Sequence, residues 1–546
     1  MSTVPSPLAV FATTSNPADD TAIFGLKVAV RGFFRALLKH GPFTTVNFYG
    51  QFSSPGSLLE RWQSVLELDA AAMDKVRLLP LEFLPEHLGA GEVSVLHRGD
   101  PRIEGLVNCR NAAGGPHLAA VTGTTHSLNR ADEYASYLQH LLLGSSGREA
   151  VVCTSTDAKK VLNTIYDALA EAFPQLAGCT RPDTPVIPLG VEEPVHVMDR
   201  QQARSVLSLD DQEVAITYIG RLHSLVKGDL RPTIRTFARV LAKHPRARLF
   251  LAGGVADKDK GELEMLLADA RGCGCSQAVQ LMPNIEEKNK QRLLAASDIF
   301  ISPVDNFQET FGLSIVEAMM HGLPVIATDW GGYRDLVIHG ETGFLVPSRR
   351  LPYPESDGFF CMGMGYVPFA LTQCVSLDQD SMDQFLENLV VHPELRNTMG
   401  ARGKERARQF AWPRVISQHM DLWGGMLRRP VVPGHFLNLP QARVFRSYPS
   451  HEIDLEMKWA LRETQQGDVR LPMPHPWIQQ ILNKQLLQGI LKGIYAQGPS
   501  SIAELGALLN VDTNPLRLPL AYLIKHGVLV AAKGSGTPSL GDAPVA

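Results

Sequence analysis

The chain has 546 residues, which at roughly 150 residues per domain predicts three or four domains. Its 52 Lys and Arg residues nearly balance 56 Asp and Glu residues, giving a formal charge of −4. This balance excludes a protein built mainly to coat nucleic acid or to anchor on membranes through a polybasic segment. An apolar fraction of 45% is that of an ordinary globular protein and excludes collagen, coiled coil and general disorder.

The cysteines and the N-terminus predict a cytoplasmic protein. Seven cysteines in so long a chain form no disulfide framework, and the Cys273 and Cys275 pair has no second pair at metal-ligand spacing. The opening MSTVPSPLAVF lacks the basic segment and the long apolar core of a secretory signal. We also find no window of about 20 apolar residues that would span a bilayer.

The first half of the chain alternates predicted helices and strands. Residues 23–40 form an amphipathic helix whose basic residues are spaced four apart: Lys27, Arg31, Arg35 and Lys39. Such a face is typical of a helix lying on a membrane, or of the solvated side of a first helix in an α/β domain, which we favour. Short apolar runs predict strands at 94–99, 118–126, 150–155 and 184–191, with helices at 129–143 and 156–173 among them.

The same alternation starts again after about residue 195. Strands are predicted at 215–222, 248–254, 278–285, 299–304, 324–332 and 343–348. The helices between them include 230–244, 259–271 and 312–321. The pattern predicts an α/β protein with two Rossmann-like, doubly wound domains, 1–195 and 196–427, which face each other across a cleft.

The rest of the chain departs from this pattern. An inserted loop is predicted at 351–375, helices follow at 380–410 and 412–427, and the last can pack back on the N-terminal domain. A linker with a Pro-rich start covers 428–470, and residues 536–546 form a disordered tail. Between them, 471–535 predict a small, mainly α, winged-helix-like module with helices at 476–496 and 500–510 and a helix and terminal strand within 514–532.

The C-terminal module is not expected to bind nucleic acid. Its segment 514–526 carries only Arg517, Lys525 and His526 as basic residues, whereas phosphate binding generally needs more positive charge. The segment is strongly apolar instead, because it contains five aliphatic residues: Leu516, Leu518, Leu520, Leu523 and Ile524. We therefore expect 471–535 to dock a protein or peptide, or to mediate self-association.

The strongest chemical pattern lies in NFQETFGLSIVEAMM, where Glu309 and Glu317 flank a loop-to-helix turn. Backbone amides at Phe311, Gly312 and Leu313 would sit at the helix N-terminus, where the dipole and unsatisfied N–H groups favour an anion. Gly312 would allow a diphosphate to approach the backbone. Glu309 would accept hydrogen bonds from sugar hydroxyls, and Glu317 would hold a ribose diol.

Upstream, GRLHSLVKGD places Arg221 and Lys227 on a loop that leaves a strand. Two cations there would clamp a diphosphate and stabilise it as a leaving group. Each element alone has an ordinary explanation, because Glu pairs occur by chance and loop cations are usually solvated. The four residues in this order within one Rossmann-like half favour a functional site.

These segments closely resemble the retaining, nucleotide-sugar-dependent glycosyltransferases of group 1, relatives of glycogen and sucrose synthases. The resemblance is carried by GRLHSLVKGD, LFLAGG and the Glu-x7-Glu pair in ETFGLSIVE, and it is clear over about 184–348. Weaker similarity extends back to about 94 and forward to about 425. The resemblance implies the GT-B fold, in which two Rossmann-like domains bind the donor mainly through the C-terminal one.

The resemblance also assigns roles. Arg221 and Lys227 would bind the donor diphosphate, Glu309 the transferred sugar, and Glu317 the ribose. Backbone at Pro283, Asn284 and Ile285 would border the base. His126, which ends the segment VTGTTH, resembles the family's histidine that faces the donor sugar and phosphate, although it can also be an ordinary loop histidine beside a helix cap.

The implied reaction moves a hexosyl group to an acceptor hydroxyl with retention, needs no metal or cofactor, and uses a UDP-sugar as the commonest donor. The departing diphosphate would help to deprotonate the acceptor, so no glycosidase-like carboxylate pair is needed. The acceptor stays open among four classes, a saccharide, a lipid-linked group, a small molecule and a peptide, and at most peripheral membrane contact is expected. The first loop departs from the family, because FATTSNPADD lacks its double glycine. A sugar-nucleotide epimerase and a non-catalytic scaffold acting through the C-terminal module are the alternatives.

Overall fold

The computed structural model describes most of the chain as secondary structure and ordered connections. The described residues are 10–13, 24–50, 55–194, 198–256, 259–351, 372–436, 441–444, 447, 454–462 and 474–532. By internal contacts the chain divides into two units, the first reaching Phe436 and the second holding the residues after it together with short stretches near 49–60 and 78–84. Each unit is described by itself.

The N-terminal sheet has six strands in the order β3-β2-β1-β4-β5-β6. Its strands are β1 Val10–Thr13, β2 Thr45–Gly50, β3 Val76–Pro80, β4 Val95–Arg98, β5 Ala120–Thr124 and β6 Glu149–Val152. The pairs with described register run parallel, as in Phe11 opposite Val95 and Val121 opposite Glu149. This is the strand order of a doubly wound Rossmann domain.

Seven helices accompany this sheet. They are α1 Phe24–His40, α2 Pro55–Leu66, α3 Ala70–Met73, α4 Leu84–Gly89, α5 Glu104–Ala113, α6 Ala131–Leu143 and α7 Thr156–Ala172. Helix α7 begins where the Ser155 side chain accepts a hydrogen bond from the Ala158 amide at 3.1 Å, which satisfies one donor of its first turn. Its first turn is therefore fixed beside the end of β6.

The second sheet repeats the same order with six parallel strands, β12-β11-β10-β7-β8-β9. Its strands are β7 Val214–Ile219, β8 Ala247–Gly253, β9 Val279–Pro283, β10 Ile299–Ser302, β11 Val325–Thr328 and β12 Gly343–Val346. Ile216 packs in the core on one face, whereas the adjacent Ala215 packs in the core on the other. Both faces are covered, as expected for a parallel sheet.

The helices of the second domain pack on these two faces and continue beyond them. They are α8 Arg200–Val206, α9 Arg231–Lys243, α10 Gly261–Gly272, α11 Glu287–Ala296, α12 Leu313–Met320, α13 Tyr333–Leu336, α14 Gln379–Val391, α15 Pro393–Ala407 and α16 Trp412–Arg428. Two short strands, β13 Ser348–Arg350 and β14 Val375–Leu377, pair antiparallel on either side of the predicted inserted loop. Residues 352–371 of that loop lie outside the described residues.

Helix α16 crosses back and packs on the N-terminal domain. The indole Nε1 of Trp423, which is fully buried, donates to Thr122 Oγ1 of β5 at 3.0 Å. The chain that follows stays on the same domain, because the Val432 amide donates to the Ser146 carbonyl at 3.1 Å. Residues 429–436, which the sequence analysis assigned to the linker, are therefore docked rather than free.

The second unit contains a small helical core of its own. Its described elements are α17 Gln441–Val444, β15 Trp459–Leu461, α18 Pro476–Ile481, α19 Lys484–Gln497, α20 Ile502–Leu509, α21 Thr513–Lys525 and β16 Leu529–Ala531. Strands β15 and β16 pair antiparallel, with Trp459 opposite Ala531. The prediction of a linker over 428–470 is wrong at 459–461, because these residues form β15. The partner of β15 is β16, which lies about 70 residues later in the chain.

Several predicted elements differ from the structure. The segment 184–191 is not a strand, because Pro185 and Pro188 have no N–H to donate, and it makes only isolated bridges. The predicted helix 476–496 is interrupted where Asn483 caps α19, whereas the helices predicted over 380–410 are present as α14 and α15. Strands β1, β2 and β3 were missed, because none of them shows a clear period-two or long apolar run. The predicted tail 536–546 lies outside the described residues.

One basic residue of α1, Arg35, faces acidic neighbours within the first unit. Arg35 is paired with Glu67 at 2.8 Å and with Glu192 at 3.1 Å. Arg31 and Lys39 line a groove that Arg35, Glu67 and Glu192 also line. This geometry fits a helix of an α/β domain, and membrane contact of α1 stays a prediction. No helix within the described ranges is long and apolar enough to cross a bilayer.

We predict that acid weakens the docking of α16 through His419. Its ring lies 5.1 Å from Phe33 and 5.3 Å from Trp423, and burial lowers the pKa of His419 to about 3. An unfolded histidine has a pKa of about 6.5, so below that pH only the unfolded chain gains the proton. The free energy of unfolding therefore falls as pH falls from about 6.5 towards 3.

Urea unfolding at several pH values measures this dependence. His419→Phe should lose less stability than the wild type between pH 8 and pH 4.5, because one titrating group has been removed. The exposed His40 supplies the control, and His40→Phe should keep the wild-type dependence. Equal pH dependence of all three proteins would contradict the assignment.

Candidate active site

A cleft of about 510 Å³ lies between the two sheets of the first unit. The wall from the second domain lies where β7 and β10 end. The strand order of the second sheet reverses between these two strands. Open α/β sheets bind ligands at this point, outside the carboxyl ends of the strands. The lining residues from the second domain include Arg221, Lys227, Glu309, Phe311, Gly312, Leu313 and Glu317.

Lys227 and Glu309 form an ion pair inside this cleft. Lys227 Nζ donates to Glu309 Oε2, and both side chains are mostly buried. Burial by itself would raise the pKa of Glu309, but the charge and hydrogen bond of Lys227 outweigh it and hold that pKa below its ordinary value. Glu309 is therefore ionised at neutral pH, and it offers acceptor oxygens only.

The loop before Glu309 is held by its own side-chain bonds. The Asn306 amide group donates to the Leu225 carbonyl at 2.5 Å, and the indole of Trp330 donates to the Asn306 carbonyl at 3.1 Å. Arg221 Nη2 donates to Gln308 Oε1 at 3.1 Å. These bonds join the loop after β7 to the loop after β10, so the two cations and Glu309 share one wall.

Helix α12 begins at Leu313 without a capping side chain. Gly312 has a φ of 114°, and a Cβ there would lie 2.5 Å from Tyr333 Cε1, so only glycine fits this turn. Of the three amides expected to face an anion, that of Phe311 instead donates to Glu309 Oε1 at 3.2 Å. The amides of Gly312 and Leu313 remain at the helix start, as expected.

Glu317 lies one turn further along α12 and contacts a lysine of α11. Lys290 Nζ donates to Glu317 Oε1 at 3.0 Å and is 2.9 Å from Glu287 Oε2. Burial raises the pKa of Glu317 above its ordinary value, although Lys290 opposes the rise. Glu317 therefore depends on a neighbouring cation to stay ionised.

The predicted base-binding backbone is only partly in the cleft. Asn284 and Ile285 line it, whereas Pro283 is an exposed residue at the end of β9. Asn284 has a φ of 52°, its amide donates to the Gly253 carbonyl at 2.7 Å, and its Oδ1 accepts from Val255 N at 2.9 Å. These two hydrogen bonds hold the turn that borders the cleft.

His126 lines the cleft from the N-terminal domain. Its Nε2 lies 2.7 Å from the Gly99 carbonyl, which can only accept, so Nε2 carries the proton. Burial lowers the pKa of His126 to about 4, despite that bond. The imidazole is therefore neutral at physiological pH, and it is held against its own domain.

Several contacts join the two domains beside the cleft, among them a hydrogen bond from Thr154 Oγ1 to Thr310 Oγ1 at 3.2 Å. The hydroxyl of Thr310 donates to the His126 carbonyl at 2.5 Å. The Thr156 amide, at the start of α7, donates to Asp335 Oδ2 at 2.6 Å, and Arg334 pairs with Asp157 at 2.7 Å. Asp335 lies in the first turn of α13 and binds the N-terminus of α7.

Gly331 and Gly332, which precede α13, pack against the Glu309 loop. A Cβ at Gly332 would lie 2.2 Å from the Thr310 carbonyl. Gly331 has a φ of 46° and packs beside the Glu309 carbonyl. They position the loop that carries Glu309.

Sequence reasoning missed several charged residues of the cleft, among them Asp100 and Lys290. Asp100 accepts from Arg98 at 2.8 Å and from Arg102 at 2.9 Å; burial would raise the pKa of Asp100, but these guanidiniums lower it to about 2. Its position just after β4 is a signal that could have identified it, since strand ends line such clefts. Lys290 lies mid-helix and gave no comparable signal.

Among the described residues, no three His, Cys, Asp or Glu side chains converge as a metal site.

The two sheets facing this cleft define the GT-B fold of glycosyltransferases. The structure aligns with Anabaena Alr3699/HepE, solved in complex with UDP, over 76% of this chain and 99% of that one, with a TM-score of 0.53 and 15% identity. It aligns with sucrose-phosphate synthase from Thermosynechococcus elongatus over 76% of this chain and 98% of that one, with a TM-score of 0.50 and 21% identity. At these identities the likeness concerns the fold.

The sequence comparisons concern a smaller part of the chain. Residues 199–351 match the family model described as "Glycosyl transferases group 1". The D-inositol 3-phosphate glycosyltransferase of Rhodococcus erythropolis (strain PR4 / NBRC 100887) is 31% identical over 204 residues, which are 37% of this chain and 43% of that protein. The chain thus matches less than half of that relative's length.

We predict that the turn at Gly312 tolerates no side chain. Gly312→Ala adds both the strain of a positive φ, about 1 kcal/mol, and an overpacking clash with Tyr333 of about 1–3 kcal/mol. Gly340 is the matched control, because its φ is 79° and a Cβ there would meet open space. Denaturant unfolding should show a larger loss for Gly312→Ala than for Gly340→Ala, and equal losses would show that no clash exists.

Proposed function

We propose that the chain is a retaining glycosyltransferase that moves a hexosyl group from a nucleotide-diphosphate sugar to an acceptor hydroxyl. The observation that carries the proposal is the meeting of Arg221, Lys227, Glu309 and Glu317 in one cleft at the switch point of the second sheet. These are the residue types that such a donor requires: cations for the diphosphate, and carboxylates for the sugar and the ribose. The match of residues 199–351 to the group 1 family supports the same reaction.

Donor binding would rearrange the ion pair at the centre of the cleft. The diphosphate is a stronger acceptor for Lys227 than one carboxylate, and it lies within reach of Arg221 and the amides of Gly312 and Leu313. Glu309 would then be released to accept hydrogen bonds from the sugar hydroxyls. Glu317 would accept from the ribose hydroxyls, with Asn284 and Ile285 bordering the base. We expect a UDP-sugar, since UDP is the nucleotide in the HepE complex.

The reaction breaks the bond between the anomeric carbon and the diphosphate oxygen, and it forms a bond from that carbon to the acceptor oxygen. Attack from the side of the departing diphosphate retains the configuration, and the acceptor proton passes to a diphosphate oxygen. Arg221 and Lys227 neutralise the charge that develops on the leaving group, which gives the site its own positive charge without a metal ion. His126, being neutral, would face the sugar without adding charge.

We predict that two single substitutions abolish transfer. A thermal-shift panel of UDP-, GDP- and ADP-sugars first identifies the donor, because a ligand raises the unfolding temperature in proportion to its binding. Transfer of labelled sugar to an acceptor panel that includes D-inositol 3-phosphate is then measured. Lys227→Met and Glu309→Gln should each lower kcat by about 100-fold or more, because leaving-group and sugar contacts are lost.

Lys160 is exposed on α7, and Lys160→Met serves as the matched control with unchanged turnover. Wild-type turnover in either cleft variant would exclude the proposed site. Absence of binding to every nucleotide sugar would exclude the proposed function.

We predict that the product keeps the anomeric configuration of the donor sugar. Only a single attack from the leaving-group side, or two successive inversions, gives this result. Proton NMR of the first product, recorded before it can mutarotate or be hydrolysed, shows the anomeric coupling directly. An inverted product would contradict the proposed mechanism while leaving donor binding intact.

A further inference from the structure

A chain of three charged side chains joins α11 to α12 at the edge of the cleft. Lys290 stands in the middle, 2.9 Å from Glu287 Oε2 and 3.0 Å from Glu317 Oε1. The Lys290 side chain is only 16% exposed, whereas that of Glu287 is 70% exposed. Glu317, at 20% exposed, is thus the inner partner and Glu287 the outer one.

These three residues lie where two cavities meet. They line the candidate donor cleft, and they also line a neighbouring groove of about 610 Å³. Across that groove α1 presents Arg31 and Arg35, and His321 lines it just after the end of α12. Burial lowers the pKa of His321, and its Nδ1 lies 2.9 Å from the Glu317 carbonyl, so His321 supplies no positive charge at neutral pH.

Lys290 is therefore the cation that directly contacts the Glu317 carboxylate. A buried carboxylate without a counter-charge takes up a proton readily, and a protonated carboxyl can accept fewer hydrogen bonds. Burial acts to lower the pKa of Lys290, but Glu317 and Glu287 hold it above its ordinary value. Lys290 thus stays charged, and its own charge is balanced from the solvent side by Glu287.

We propose that Lys290 is a positioning residue for nucleotide binding: it keeps Glu317 ionised and oriented so that this carboxylate accepts both hydroxyls of the donor ribose. Lys290 occupies one lone pair of Oε1, and Oε2 together with the second lone pair of Oε1 is available to the diol. This inference rests on the proposed function, because it takes Glu317 as the ribose contact. It adds that the ribose contact is built from two helices rather than from α12 alone.

The experiment compares nucleotides that have and lack the diol. Calorimetry at pH 7 measures binding of UDP, GDP and ADP and of their 2′,3′-dideoxy counterparts to the full chain. Lys290→Met should weaken the diphosphate that the wild type binds by about tenfold, because a charge-assisted contact no longer orients the carboxylate. It should leave the weaker binding of the dideoxy counterpart unchanged, since that ligand makes no contact with Glu317.

Two further variants separate positioning from a general effect. Lys290→Arg keeps the charge and should recover most of the loss. Lys288 is exposed two residues earlier on α11, and Lys288→Met should bind both ligands as the wild type does. The affinity of Lys290→Met for the ribose nucleotide should also recover as pH rises from 6 to 8.5, because the unpaired Glu317 then ionises. The wild type should change less over this range.

The outcomes are distinct. Equal weakening of the ribose and dideoxy ligands by Lys290→Met would overturn the proposal, because Lys290 would then act on the phosphates or on the fold. Unchanged affinity for both ligands would overturn it as well. A wild type that binds none of the three nucleoside diphosphates would instead contradict the proposed function on which the inference rests.

Discussion

The ion pair of Lys227 and Glu309 is the interaction around which the cleft is organised. Two opposite charges are removed from water there, which costs free energy unless each finds close partners. Glu309 finds them in Lys227 and the Phe311 amide. Because both partners lie on loops that leave neighbouring strands of one parallel sheet, the pair can form only when that sheet has its strand order. The charged site and the sheet topology thus depend on each other.

The loop that carries Glu309 also joins the two domains. Thr310, the next residue, bonds to the backbone of His126 on the opposite wall. Gly332 packs against the Thr310 carbonyl, and the neighbouring Asp335 binds the start of α7. The position of Glu309 relative to His126 is therefore set by short hydrogen bonds between the two domains. If the angle between the domains changed, the wall that carries Glu309 and the wall that carries His126 would both move.

Much of the second domain could be predicted from the sequence because its strands are short apolar runs bounded by turn residues. The N-terminal domain was harder: β2 and β3 lack such runs, and their partners in the sheet lie elsewhere in the chain. The segment 184–191 has the apolar composition of a buried strand, but its prolines lack the N–H groups that a strand donates to its neighbours. The strand β15 could not be found, since its partner β16 is 70 residues away.

The sequence by itself determined four of the charged residues in the cleft: Arg221, Lys227, Glu309 and Glu317 stand in motifs whose local geometry places them at strand ends and a helix start. Only the tertiary structure decided their partners: Lys227 with Glu309, Lys290 with Glu317, and His126 with its own backbone. The physical reason is that a side chain's pKa and orientation depend on groups brought near by packing, and these come from helices and loops far apart in the chain.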